Sequence, residues 1–176
     1  MNLQQFQTLS KRTMPFNGEP KNPIEFENML GNYAMGLVGE FHELQWEINK
    51  VTNETLTESI TFIDKEVGDV LHYCVGLLEL LGEKFTYSRI GHAVVIDELE
   101  EHLAKILELP KKHIYHRHEL NKEEFITSVY EVVAFLYDDF GMKFERILNT
   151  NIDKLKTRYP DKFNTADSIK RVDLNE

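Results

Sequence analysis

Helical periodicity is the feature that most constrains how this chain folds. Apolar residues recur every three or four positions along most of its 176 residues, and sustained alternation of apolar and polar residues, the mark of a half-buried strand, is absent. Such spacing gathers the apolar side chains on one face of an α-helix. The sequence therefore predicts an all-α protein, one helical bundle with extra helices and a single domain over residues 1–176.

Capping signals place the boundaries of two long helices. Residues 22–25 combine an Asn cap, a Pro at the first helical position and a Glu three residues after the cap, and the helix they open should fray near residues 52–53. Residues 55–58 repeat the capping pattern, and Gly82 closes the second helix. The side chains predicted to face inward are Tyr33, Leu37, Phe41, Leu44, Ile48 and Val51 in the first helix, and Ile60, Ile63, Val67, Val70, Cys74, Leu77 and Leu81 in the second.

Four further helices are predicted with the same signals. A short one covers residues 3–12, and a longer one near residues 88–109 should end at Pro110, followed by a basic loop that contains histidines. Asn121 caps the next helix, which runs to Gly141, with Leu120 and Phe125 placed as a hydrophobic staple. The last covers about residues 143–158 and stops before Pro160.

Charge and composition exclude several classes of function. The formal net charge of -10 repels polyphosphates, so binding to a nucleic-acid polymer is not expected, and an anionic ligand would need a cation to mediate. No stretch has the roughly 18 apolar residues that span a bilayer, so no membrane association is expected. The single Cys74 lies in an apolar run and is expected to be a buried thiol of a cytoplasmic protein.

Two pairs of carboxylates carry the chemistry. Glu40 and Glu43 project from one face of the first long helix, and Glu66 and Asp69 repeat this spacing on the second. If the two helices are adjacent and antiparallel, four carboxylates converge, and a divalent cation relieves their repulsion. An all-oxygen site of this kind suits magnesium, or manganese, better than zinc.

Each pair also has a glycine beside it, and a helix-interior glycine costs about 1 kcal/mol relative to alanine. Gly39 and Gly68 therefore suggest that backbone or ligand approaches closely at both positions. The plain alternative is that these glutamates are solvated surface charges. Glu47, one turn after Glu43, is an additional ligand or base, or else pairs with Lys50.

Three segments together resemble the MazG-like family of all-α nucleoside triphosphate pyrophosphohydrolases. Residues 36–44 (GLVGEFHEL) and 65–73 (KEVGDVLHY) are similar to the family's ExxE and ExxD helices, and residues 151–160 (NIDKLKTRYP) to its later Asn-Lys-Arg block. Smaller likenesses are residues 6–7, residues 12–13 and Arg171. Two features depart from the family pattern: residues 83–140, interpreted as an inserted helical pair, and Phe41-His42, where the family usually has a small residue.

The resemblance implies a four-helix-bundle-like fold and the hydrolysis of an NTP or dNTP to the monophosphate and pyrophosphate, by a metal-activated water that attacks the α-phosphate. It implies a homo-oligomer, a dimer or a tetramer. The implied metal-binding and catalytic residues are Glu40, Glu43, Glu66 and Asp69. Those implied for substrate are Asn151, Lys154, Arg158 and Tyr159, and further candidates are Glu47, Tyr73 and Arg171.

Two other classes of function stay open. One is a catalytically silent helical module that binds nucleotide or a protein partner. The other, a di-iron carboxylate bundle, is disfavoured because His42 and His72 are not at ExxH spacing. Trp46 is expected to pack against the inserted helices or another subunit, and the base preference of the enzyme is left undetermined.

Overall fold

The computed structural model describes residues 1–51, 56–86 and 96–170, and every regular element in these ranges is helical, which confirms the all-α prediction. Two short 3₁₀ turns, Pro15–Gly18 and Gly141–Lys143, join neighbouring helices. No helix in the described ranges has the length and hydrophobicity to cross a membrane. The α-helices are α1 (Leu3–Lys11), α2 (Pro23–Asn49), α3 (Leu56–Leu80), α4 (Ile96–His116), α5 (Lys122–Phe140), α6 (Phe144–Arg158) and α7 (Thr165–Lys170).

The capping residues act as the sequence predicts. The side chain of Asn22 accepts a hydrogen bond from the backbone N–H of Glu25 at 2.9 Å, and Asn121 caps α5 through Glu124 at 3.3 Å. Gly82, with a φ of 77°, follows the end of α3 in the left-handed conformation that glycine adopts most readily. The second capping pattern, which begins at residue 55, falls outside the described residues.

Reciprocal contacts between glycine and tyrosine fix the pairing of α2 with α3. The ring of Tyr73 lies against Gly36, where an added Cβ would come within 2.2 Å of it, and the ring of Tyr33 lies against Gly76 in the same way, at 2.0 Å. The contact residue nearer the start of α2, Tyr33, meets the one nearer the end of α3, Gly76, and Gly36 meets the earlier Tyr73. The two helices are therefore antiparallel. This register brings the two acidic motifs to the same level of the bundle.

Helix α6 runs parallel to α3 beside the same motifs. Residue numbers increase in the same direction along both helices in their contacts. Arg146 pairs with Asp64, Asn151 packs against Gly68, and Lys154 pairs with Asp69. The α6 face that carries the predicted substrate residues is therefore turned towards the acidic side chains.

Helices α4 and α5 pack against each other, with α4 also against α2 and α5 against α3. The sequence predicted that α4 ends at Pro110, and this is wrong, because α4 continues through Pro110 as far as His116. Pro110 is buried and continues the buried face of α4 beyond Ile106. One turn further, the Cδ1 atom of Ile114 would lie 3.3 Å from a Cβ added to Gly31 of α2. Packing of the last turn on α2 thus outweighs the cost of a proline inside a helix. Of the histidines assigned to a loop, only His118 follows α4.

Other sequence expectations are corrected at the surface. Ile48, in the last turn of α2, is 40% exposed rather than in the core, and Trp46 is 64% exposed, with the Lys50 ammonium 4.0 Å above its ring, so it does not pack against the inserted helices. Val51, Ile60 and Leu81 are half-buried. Cys74 is fully buried, as predicted. The short helix α7 was not anticipated.

Candidate metal centre

The candidate site is a cleft of about 410 Å³ bounded mainly by α2, α3 and α6. The acidic motifs of α2 and α3 form one part of its wall, and α6 supplies basic side chains opposite. The 3₁₀ turn after α1 and helix α7 complete the rim through Pro15 and Ser168. The cleft depends on the antiparallel pairing of α2 with α3 and on the parallel placement of α6.

All four predicted carboxylates line this cleft, and three of them have oxygens close enough to share a metal ion. Glu40 is half-buried, Glu43 is exposed, and Glu66 is buried with 8% of its surface exposed. One carboxylate oxygen from each lies within 4.8 Å of the others. In the described part of the chain, this is the one group of three or more such side chains close enough to share a metal ion.

Burial and mutual repulsion perturb the acids of this cluster. Removal from water, followed by the charges of Asp69, Glu43 and Glu66, raises the pKa of Glu40 to about 7. Burial is also the main cause of a raised pKa at Glu66, with Asp69 next in importance. Full ionisation of these acids would place several negative charges in a partly buried space, and a divalent cation would offset that cost.

Asp69 lies beside the cluster and is held by two residues of α6. Asn151 donates from Nδ2 to Oδ1 of Asp69 at 2.8 Å, and the Lys154 ammonium pairs with Oδ2. Asn151 is only 3% exposed, and an added Cβ on Gly68 would lie 3.0 Å from its Cβ. A close approach therefore exists at Gly68, but it is made by the side chain of Asn151 rather than by the backbone or ligand that the sequence suggested.

The other predicted residues divide between the cleft and the surface. Lys154, Arg158, Tyr159 and Tyr73 line the cleft. Glu47 pairs with Lys50 at 2.6 Å, which is the surface ion pair that the sequence offered as the alternative to a role as ligand or base. At Gly39 no other atom of this chain would lie within 4 Å of an added Cβ, so the expected close approach of backbone is not found there.

Several cleft residues were not identified from the sequence: Thr13, Asn32, Tyr33, Lys65, His72 and Phe163. Helical spacing contained a signal for some of them. Lys65 precedes Glu66, and His72 lies one turn after Asp69 on the same helix. Phe163 follows α6 in an irregular segment, where periodicity carries no information. Arg171 lies outside the described residues.

Arg12 explains how that irregular segment reaches the cleft. Its guanidinium donates hydrogen bonds to the carbonyl oxygens of Tyr159, Pro160 and Asp161 at 3.0, 3.4 and 3.1 Å. Its own carbonyl accepts from the backbone N–H of Phe163 at 3.3 Å. Arg12 thus fastens the chain after α6 to the end of α1, with Tyr159 and Phe163 on the cleft wall.

The arrangement combines an oxygen-donor cluster with fixed cations across one cleft. Carboxylate oxygens at these separations suit a hard divalent cation, and Lys154 and Arg158 offer charge to a bound anion. The site therefore has the parts needed to bind a metal ion together with a phosphate-containing ligand. None of the protein-family models, curated proteins or solved structures compared with this chain matches it.

Proposed function

We propose that this protein is a magnesium-dependent nucleoside triphosphate pyrophosphohydrolase. The observation that supports this most strongly is the convergence of Glu40, Glu43 and Glu66, with oxygens within 4.8 Å of one another, in a cleft that also contains Lys154 and Arg158. An acidic protein with a formal net charge of -10 needs local cations to retain a polyphosphate, and the cleft provides three, Lys65, Lys154 and Arg158, beside an acidic cluster.

The residues present fit magnesium. The cluster offers only carboxylate oxygens, and burial, followed by the charges of neighbouring acids, raises the pKa of Glu40 to about 7; a divalent ion would favour the ionised carboxylate against both effects. Glu40, Glu43 and Glu66 would hold the metal directly, and Asp69, which lies beside them, would be a further ligand. Manganese has the same ligand preference and is the expected substitute. Bound magnesium would lower the pKa of a water molecule and neutralise charge on phosphate oxygens.

The protein's own residues perform the remaining tasks. Lys154 and Arg158 lie one turn apart on α6 and hold the phosphate chain, which orients the α-phosphorus for in-line attack. Asn151 keeps the Asp69 carboxylate aimed at the cleft through its 2.8 Å hydrogen bond. Tyr159 and Tyr73 narrow the cleft around the ligand. The products are the nucleoside monophosphate and pyrophosphate.

The resemblance to MazG-like pyrophosphohydrolases supports the same assignment. The motifs that carry the resemblance contribute the three clustered carboxylates, Asp69 and the α6 residues. Under this proposal residues 83–140 are an addition to the family's bundle, and α4 and α5 form its helical pair.

The proposal includes the setting in which the enzyme works. A homodimer or homotetramer is expected, since Met35, Trp46 and Phe62 are large apolar side chains with more than half of their surface exposed. The one cysteine, buried Cys74, suits a reducing cytoplasm. Size-exclusion chromatography with light scattering measures the stoichiometry, and a monomer would contradict this part.

Release of pyrophosphate tests the activity. Wild-type protein with magnesium and a panel of NTPs and dNTPs should release pyrophosphate, and Glu43→Gln should lower the rate by a factor of about 100 or more, because one ligand of the activating metal is lost. Glu47→Gln is the matched control, since Glu47 lies one turn away and pairs with Lys50. Activity that survives Glu43→Gln, or falls equally in both variants, would contradict the proposed site.

A catalytically silent nucleotide-binding module is the second candidate. It is favoured by one observation: both oxygens of Asp69 are engaged by Asn151 and Lys154. A module of this type binds a non-hydrolysable triphosphate with magnesium but releases no pyrophosphate from any nucleotide in the panel. Turnover by the wild type would exclude it.

A further inference from the structure

Three histidines gather at the end of α4, in the part of the chain interpreted as an insertion. His113 and His116 lie one turn apart in the last part of the helix, and His118 lies two residues beyond it. His116 and His118 are exposed, and His113 is half-buried. None of the three borders the cleft of the candidate metal centre, so the proposed function gives them no role.

A left-handed residue between two of these histidines folds the chain back. Arg117 has a φ of 59°, a conformation that is uncommon for residues other than glycine. The backbone N–H of His118 then donates to the carbonyl oxygen of Lys112 at 3.2 Å and closes the end of α4. This turn brings the rings of His116 and His118 together, with their centroids 6.3 Å apart.

We propose that His116 and His118 bind a zinc ion, each through one imidazole nitrogen, with water in the remaining positions. Imidazole ligands suit Zn²⁺ and disfavour Mg²⁺, so this site differs in chemistry from the all-oxygen cluster of the cleft. The ion would link the last turn of α4 to the segment that leads into α5. The inference does not depend on the proposed function, because no residue is shared between the two sites.

The ring separation is close to the value that a shared ion requires. With Zn–N bonds of about 2.0–2.1 Å and tetrahedral angles, two imidazoles on one zinc ion have ring centres roughly 5 Å apart. The rings of His116 and His118 are 6.3 Å apart, slightly more than this distance. Both side chains are exposed, so rotation about their own bonds closes the gap without any movement of the backbone.

His113 holds the backbone of one ligand in place. Its Nδ1 lies 2.9 Å from the carbonyl oxygen of His118, and because a carbonyl oxygen only accepts, Nδ1 carries the proton and donates. The His113 ring also meets the ring of Phe26 of α2 edge to face, with centroids 6.3 Å apart. His113 is thus a positioning residue that keeps His118 beside the end of α4.

The charges around the histidines also permit a cation. Lys111 and Lys112 pair with Glu108 at 3.1 and 3.4 Å, and Arg117 pairs with Glu27 at 2.7 Å. Each basic side chain in the last turn and the segment after it therefore has an acidic partner that offsets its repulsion of an ion. The C-terminal end of a helix dipole also favours positive charge.

Titration with Zn²⁺ tests the site. The full chain, with its histidine rings labelled with carbon-13 and with excess Mg²⁺ to occupy the acidic cluster, is titrated at pH 7.5 and followed by NMR. Signals of His116 and His118 should shift together, whereas those of His102, which contacts Ser128 on α5 at 3.2 Å, should not. His116→Ala should weaken Zn²⁺ binding at His118 at least about tenfold, because one of two protein ligands is lost. Tyr115→Ala, a change at a side chain that is 77% exposed, is the control and should have no effect.

A matched pair of variants at Arg117 tests the turn without touching a ligand. Arg117→Gly and Arg117→Val both remove the ion pair with Glu27, but only glycine keeps the left-handed conformation without strain. Zn²⁺ affinity in Arg117→Gly should stay within about twofold of the wild type, and that in Arg117→Val should fall at least about threefold.

Three results would overturn the site. They are unchanged Zn²⁺ affinity in His116→Ala, equal affinity in Arg117→Gly and Arg117→Val, and shifts at His102 as large as those at His116, which would mean an adventitious ion only. None of these measurements involves a nucleotide or pyrophosphate release. Loss of the zinc site would therefore leave the enzyme assignment intact, and failure of that assignment would leave the zinc site intact.

Discussion

At the scale of single residues, Glu40 links the electrostatics of the cleft to stability. Its pKa rises from the ordinary 4.5 to about 7 on folding, so the folded protein holds this proton more tightly than the unfolded chain. The resulting stabilisation is fully present below pH 4.5 and is lost as the pH rises through 7. Because Glu40 is partly exposed, solvent screening reduces this contribution to the free energy of unfolding to about 1 kcal/mol.

Glu40→Gln should therefore be more stable than the wild type at pH 8 with metal chelated, and this advantage should vanish at pH 4. Magnesium should raise the melting temperature of the wild type at pH 8 and that of the variant much less, since one ligand is missing. Thermal unfolding followed by circular dichroism measures both effects. A variant that is less stable than the wild type at pH 8 without metal would contradict the assigned cost of burying the ionised Glu40 among other acids.

Two glycines beside the acidic motifs should respond in opposite ways to alanine. Gly68→Ala places a Cβ 3.0 Å from the Cβ of Asn151 and should cost about 1–3 kcal/mol, as overpacking does. Gly39→Ala meets no atom of the chain within 4 Å and should stabilise α2 by up to about 1 kcal/mol. Urea unfolding gives both free energies. Similar losses in the two variants would contradict the close packing of α3 with α6.

At the scale of elements, Arg12 couples α1 to the segment after α6. Arg12→Lys keeps the charge but loses the planar fork that donates to three carbonyl oxygens. Amide hydrogen exchange in residues 160–163 should accelerate, and the KM for nucleotide should rise more than kcat falls, because Tyr159 and Phe163 lose their support. Lys156→Gln, an exposed change on α6, is the control and should leave both unchanged. Unaltered exchange in Arg12→Lys would remove this positioning role.

The elements also show what sequence can and cannot predict. Periodicity and caps such as Asn22 and Asn121 are local, and they predicted α2, α5 and α6 closely. The proline rule failed at Pro110, because packing of Ile114 on α2 is a tertiary effect that outweighs a local preference. Trp46 is exposed rather than covered by the inserted helices, since helical spacing does not reveal whether a neighbouring element of the chain covers a given face.

At the scale of the whole molecule, the candidate site depends on contacts between residues far apart in the sequence. The spacing within each motif predicted that Glu40, Glu43, Glu66 and Asp69 could converge, given two antiparallel helices, and the oxygens of the three glutamates lie within 4.8 Å of one another. The hydrogen bond from Asn151 to Asp69 and the clamp of Arg12 on the chain after α6 span 82 and about 150 residues. Such contacts follow from the packing of several helices, and no local pattern encodes them.

The central claim is that Glu40, Glu43 and Glu66 share one divalent cation, and Mn²⁺ binding followed by electron paramagnetic resonance tests it most directly. Glu66→Gln, with nearly the same shape as the native side chain, should weaken Mn²⁺ binding at least about tenfold, and Glu47→Gln should leave it unchanged. Mn²⁺ affinity equal to that of the wild type in Glu66→Gln, or an equal loss in Glu47→Gln, would contradict the shared metal centre.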